Sequence, residues 1–168
     1  MSVTLITSKG PIKLELECSL APYASYNFLA LCASGAYDGT SFHRVVPEFI
    51  IQGGATDEEG GQSIWERPFP DELTHILRFD TRGVLAVASS GPNTGGSQFF
   101  ITLSPCRQLN DTCTIFGHVI DGWDTVERIG SSPVDEEEQL LSPVIINSTV
   151  IHANPFADAE TIMELENE

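Results

Sequence analysis

Positive charge is scarce in this chain. Lysine and arginine together number 8 against 24 aspartates and glutamates, a formal net charge of −16. A surface of that sign repels phosphate backbones, which argues against direct binding of RNA or DNA and toward partners with basic surfaces. Cysteine is sparse and unpatterned. Cys18, Cys32, Cys106 and Cys113 form no CxxC pair, and His43, His75, His118 and His152 supply no matching ligand spacing. No metal site and no cofactor are expected; buried reduced thiols are, because a free cysteine packs as a small hydrophobe. No apolar run approaches a membrane span, and the opening MSVTLITSKG has no basic segment followed by an apolar one. A soluble intracellular monomer is expected, in nucleus or cytoplasm, with no basic run to serve as a nuclear address.

What is present reads as one globular domain with many turns: 168 residues, 41% hydrophobic, with 14 glycines and 10 prolines. In IKLELE, Ile12, Leu14 and Leu16 alternate with charged residues, the pattern of a half-buried strand. SVTLIT before it and SKGP between the two predict a hairpin. Pro22 suits the first turn of a helix through YASYNFLALCAS, closed by Gly35. Further strands are predicted at GVLAVAS, QFFITL, TIFGHVI and VIINSTVIHA, and a second helix, WDTVERI, after Asp121-Gly122 and ending at Gly130. Many short strands with two brief helices predict a closed antiparallel barrel, since closure removes exposed edges. The acidic runs at 134–139 and from Asp158 onward read either as a solvated loop and terminus or as docking segments.

SFHRVVPEFIIQGG places an arginine, which cannot shed its charge, among apolar residues. If the chain reverses around Pro47-Glu48-Phe49, Arg44 lies opposite Gln52 and Val46 opposite Ile50 on one face. The glutamine carbonyl then holds the guanidinium without neutralising it. The alternative is an outer-face arginine reaching into solvent. His43 falls on the opposite side, toward the core, as a hydrogen-bonded structural histidine. A second segment, GPNTGGSQFFITL, opens glycine-rich and enters a strand. Phe99, Ile101 and Leu103 share the core face; Gln98, Phe100 and Thr102 share the other. The loop lacks the GK[ST] ending of a phosphate cradle, and close approach of an extended backbone is the better reading.

These two blocks, with NFLALCASGAYDGTSFHR and FGHVIDGWDTVERI, resemble the cyclophilins, a family of peptidyl-prolyl cis-trans isomerases. The resemblance spans residues 1–157, leaving 158–168 as an acidic tail. MSVTL, GGQSIW and STVIHANPFA are similar to a small single-domain branch associated with the spliceosome. The resemblance implies a mainly β fold, an eight-stranded antiparallel closed barrel capped by two short helices, with the active site on its outer face. It implies a cofactor-independent enzyme acting on proline-containing peptides, with Arg44, Gln52 and Phe49 as the catalytic set. Phe49, Ile50, Phe100 and Leu109 would form the proline slot. The backbone around Ala88 and Ser89 would hold the preceding residue, with Gln98 in the neighbouring groove.

Six positions depart from the family pattern. Ile50 replaces a common methionine, and Ser89 a common asparagine. On the rim, Gln108 stands where cyclosporin-sensitive members carry tryptophan and Cys113 where many carry histidine, with Glu58 and Glu59 where glycine and threonine are frequent. These rim changes imply weak cyclosporin binding and an altered peptide preference. The competing readings are a non-catalytic module that binds proline segments or docks into a ribonucleoprotein assembly, alongside spliceosomal proteins with basic surfaces, and chaperone-like binding of unfolded chains.

Overall fold

β1 (Ser2–Thr7) and β2 (Gly10–Leu16) form a hairpin, from Ser2 opposite Glu15 to Thr7 opposite Gly10. Their alternating apolar residues Val3, Leu5, Ile12 and Leu14 are fully buried. The computed structural model describes residues 1–55 and 62–152. The remaining strands are β3 (Ser41–Val46), β4 (Ile50–Gly54), β5 (Val84–Val87), β6 (Phe99–Thr102), β7 (Ile115–Asp121) and β8 (Gln139–Ile151). They close into an antiparallel barrel in the order β1-β2-β7-β5-β6-β4-β3-β8. The expected fold is the observed one.

Helix α1 (Pro22–Ala33) begins with proline in its first turn, where the missing N–H costs nothing. It stops at Gly35, whose φ of 77° is the left-handed conformation glycine adopts freely. Gly35 N–H donates to Cys32 O and Ala36 N–H to Leu31 O, the paired bonds of a Schellman ending. Ala21 offers the helix start no side-chain cap. Glu72 supplies one from far along the chain, its carboxylate accepting from Tyr23 N at 3.1 Å and Ala24 N at 2.8 Å. Helix α2 (Trp123–Gly130) follows the Asp121-Gly122 turn. Side chains of both helices enter the barrel core, including Phe28 and Leu29 of α1 and Val126 and Ile129 of α2.

At the centre of that core the Phe28 ring lies 5.3 Å from Tyr37 and 5.4 Å from both Phe99 and Phe116. Each such buried aromatic contributes about 1.5–3 kcal/mol over its exposed state.

Two expectations need correction. β8 begins at Gln139 rather than Val144, and its early residues pair with β3, Arg44 lying opposite Gln139. Exposed Pro143 sits where the register jumps, and a proline within a strand hides the signal. His43 is not in the core. A bulge between Phe42 and Arg44 makes it the extra residue of β3, so Phe42 and Val45 point inward while His43 stays half-buried. The loop carrying Glu58 and Glu59, and the tail from Asp158, lie outside the described residues.

Candidate active site

The site starts from the β3–β4 turn. Phe49 N–H donates to Val46 O at 3.0 Å, and Glu48 takes a φ of 63°. Ser104 Oγ donates to Glu48 O, and Leu103 N–H to Phe49 O, both at 2.7 Å, pinning the turn to the end of β6. That turn sets the register: Val46 opposite Ile50 and Arg44 opposite Gln52. Gln52 in turn lies opposite Phe100, and Phe100 opposite Ala86. Arg44, Gln52, Phe100 and Ala86 therefore form a row across four strands on the outer face of the barrel.

Phe100 points away from the barrel interior yet is only 5% exposed. A second apolar cluster covers it: Ile50, Phe79, Val84, Ala86, Cys106 and Ile115, with Phe49, Leu109 and Cys113 packed at its margin. Phe79 stacks on Phe100 with centroids 6.1 Å apart and planes 10° from parallel. Phe79 is held by its own N–H, which donates to Asn110 Oδ1 at 2.7 Å, and by its carbonyl, which accepts from Cys106 N at 2.9 Å.

A cavity of about 470 Å³ opens where this cluster meets the row. Arg44 and Gln52 line it beside Phe49, Ile50, Phe100 and Leu109. Ala88, Ser89, Gln98 and Cys113 complete the set of anticipated residues found together there. Gln108 is the exception: it is exposed on the short 3-10 turn Arg107–Leu109 and is not among the described lining residues. Val87, Ser90, Thr94 and Gly96 also line the cavity and were not anticipated. Thr94 and Gly96 lie in the glycine-rich loop already marked for close backbone approach, so a signal for them existed.

Three side-chain hydrogen bonds order the polar wall. Arg44 Nη1 donates to Gln52 Oε1 at 3.1 Å, Gln52 Nε2 to Gln98 Oε1 at 2.8 Å, and Gln98 Nε2 to Ala55 O at 2.9 Å. The expectation that a neutral amide alone would hold the guanidinium is incomplete. Arg44 Nη2 also meets Glu138 Oε1 at 3.3 Å, with the side chains 36% and 40% exposed. Glu138 belongs to the acidic run and sits just before β8. Placing the start of that strand too late concealed its approach to β3.

His43 carries one weak bond, its Nδ1 3.4 Å from Ser41 O. Burial lowers its pKa, with the Arg44 charge acting the same way and the Ser41 contact opposing both. The imidazole is therefore neutral at physiological pH. The Cys113 thiol is pushed up by burial and by Asp71, which makes it a poor nucleophile. Among the described residues no group of three or more histidines, cysteines or carboxylates is placed to hold a metal. What the cavity offers is one cation beside an apolar hollow and a wall of amides.

The family model described as cyclophilin type peptidyl-prolyl cis-trans isomerase matches residues 2–151. Among curated relatives, peptidyl-prolyl cis-trans isomerase-like 3 of Dictyostelium discoideum is 49% identical over 160 residues, covering 94% of this chain and 99% of that protein. The human protein of the same description is 46% identical with the same coverage. A crystal structure of a Cryptosporidium parvum cyclophilin-type isomerase, obtained in the presence of the dipeptide Ala-Pro, superposes with a TM-score of 0.87 at 46% identity, covering 92% of this chain and all of that one. The barrel, the outer-face cavity and these likenesses converge: the chain belongs to the cyclophilin-type peptidyl-prolyl cis-trans isomerases.

Proposed function

We propose that this isomerase works by donating hydrogen bonds from Arg44 to a prolyl bond twisted out of plane above the apolar cluster. Resonance opposes rotation about a peptide C–N bond with a barrier of about 18–20 kcal/mol. Before proline the two planar forms differ by only about 0.5–1 kcal/mol, so the obstacle is kinetic. No bond is made or broken, and what accelerates the change is a site that fits the twisted form better than either planar one. On twisting, the prolyl nitrogen regains a lone pair and becomes an acceptor. Arg44 carries a permanent charge and five fixed donors, of which Gln52 and Glu138 engage one each.

The observation carrying this reading is the juxtaposition of a tethered guanidinium with the hollow of Phe49, Ile50, Phe100 and Leu109. The proline ring fills the hollow, the backbone at Ala88 and Ser89 holds the residue before it, and Gln98 lines the groove beyond. A relative crystallised with Ala-Pro supports proline-containing peptides as the ligand class. Removing one donor aimed at developing charge costs about 10²–10³ in rate. Arg44→Ala is therefore expected to lose that factor in kcat/KM in a protease-coupled prolyl-peptide assay. Activity within twofold of wild type would overturn the role of Arg44.

Cyclosporin binds weakly, because Gln108 offers an exposed amide where sensitive members present an indole; a nanomolar dissociation constant by calorimetry would contradict this. In the nucleus or cytoplasm the protein acts as a monomer whose acidic surface joins spliceosomal partners that present basic surfaces. The net charge of −16 and the likeness to a spliceosome-associated branch support this. Affinity purification from cell extract, with identification of what co-purifies, tests it.

A further inference from the structure

Glu138 occupies a backbone position that its residue type does not favour. Its φ of 65° lies in the left-handed region, where glycine or asparagine is the low-cost choice. The turn around it is closed by backbone bonds and by a neighbouring aspartate. Glu138 N–H donates to Asp135 O at 3.2 Å, while Asp135 Oδ1 accepts from Glu137 N at 2.8 Å and Gln139 N at 3.1 Å. Val45 N–H donates to Glu138 O at 2.9 Å and clamps the turn against β3. None of these bonds uses the Glu138 carboxylate. The side chain adds its 3.3 Å contact to Nη2 of Arg44.

We propose that Glu138 is a specificity-determining residue that cancels the field of Arg44 at this end of the pocket. Without it, the guanidinium would attract peptides bearing an acidic side chain beside the proline and repel those bearing lysine or arginine. With the carboxylate paired to Nη2, the two charges form a dipole whose field falls off faster than that of a single cation. Three guanidinium N–H donors remain after Gln52 and Glu138 take one each, so short-range donation to the prolyl bond survives while long-range charge selection is lost. The enzyme thereby accepts basic prolyl segments that an uncompensated arginine would disfavour. Both partners are partly exposed, so the effect is modest and screened by salt.

This inference rests on Arg44 facing the prolyl bond, and the test separates the two. Two peptides differing only in a glutamate or a lysine next to the proline are assayed with wild type, Glu138→Gln and Glu138→Asp. Glu138→Gln is expected to raise the ratio of kcat/KM for the glutamate peptide over the lysine peptide by about two- to fivefold at low ionic strength. The gain should collapse in about 1 M salt, where the Debye length is near 3 Å. Glu138→Asp keeps the charge and is expected to stay near the wild-type ratio. An unmoved ratio in Glu138→Gln, or an equal change for both peptides, overturns the inference, since a purely structural role alters both alike. If Arg44→Ala abolishes activity while the ratio stays unmoved in Glu138→Gln, only the selectivity inference falls. If Arg44→Ala is fully active, the reading beneath it falls.

Discussion

Phe99 and Phe100 are neighbours in β6 whose rings point to opposite sides of the same sheet. Phe99 enters the barrel and is met edge-on by Phe28 at 5.4 Å, Tyr37 at 5.6 Å and Phe42 at 5.7 Å. Phe100 goes outward, stacks on Phe79 and lines the cavity beside Arg44. Both are buried, and both belong to apolar clusters. The inner cluster is enclosed on all sides by strands and helices; the outer one is closed below and left open above. A hydrophobic cluster with one wall missing offers apolar surface to a ligand, so the residues proposed to hold proline also answer to packing.

Truncating each ring in turn separates the two regions. Phe99→Ala should cost about 3–5 kcal/mol in urea unfolding and leave kcat/KM per folded molecule little changed. Arg44→Ala should do the reverse: its activity loss is worth about 2.7–4 kcal/mol, while a partly exposed ion pair leaves the unfolding free energy within about 1 kcal/mol. Phe100→Ala should fall between them. Its ring already borders open space, so the stability loss is smaller than for Phe99 by about 1–2 kcal/mol, and KM should rise as well. Equal stability losses at Phe99 and Phe100, with KM unmoved, would erase the distinction.

Smaller effects test what supports the two regions. Glu72→Ala removes the cap of α1 and should cost about 1–2 kcal/mol by thermal or chemical unfolding, without a change in peptide affinity. His43 gives the smallest effect. Its pKa is lowered in the folded protein, so the unfolded chain binds the extra proton and stability is lost as pH falls below the ordinary histidine value. His43→Gln should flatten that part of the unfolding profile and leave prolyl isomerisation within about twofold, since the rotation needs no proton transfer. Measured pH profiles of unfolding and of kcat/KM check the two halves separately.

The part of the hairpin that carries Arg44 was legible because the turn determines the pairings next to it, from Val46 opposite Ile50 to Arg44 opposite Gln52. Once reversal is centred on Glu48, Arg44 must face Gln52, and no tertiary knowledge is needed. Alternation in β1, β2 and β6 likewise separates inward from outward side chains. The bulge at His43 was not legible, since one extra residue leaves no mark on composition and reverses the face assigned to it. The cover over Phe100 was hidden for another reason: Phe79 reaches it from a segment without regular strand or helix, held by Asn110 and Cys106. Glu138 was hidden because Pro143 masked the start of the strand that carries the preceding turn to β3. Periodic elements can be read locally, whereas contacts made by irregular segments depend on where the rest of the chain goes.

The three bonds from Arg44 to Ala55 O run in one direction only. A guanidinium can only donate and a backbone carbonyl can only accept, so the two ends dictate which way each glutamine amide is turned. Neither amide can flip without setting like against like. Each is left with one N–H and one lone pair beyond this string. An extended polypeptide laid along the groove presents the complementary pair, an oxygen and a hydrogen, from its own main chain. The wall is thus prepared to greet any passing backbone, whatever side chains it bears.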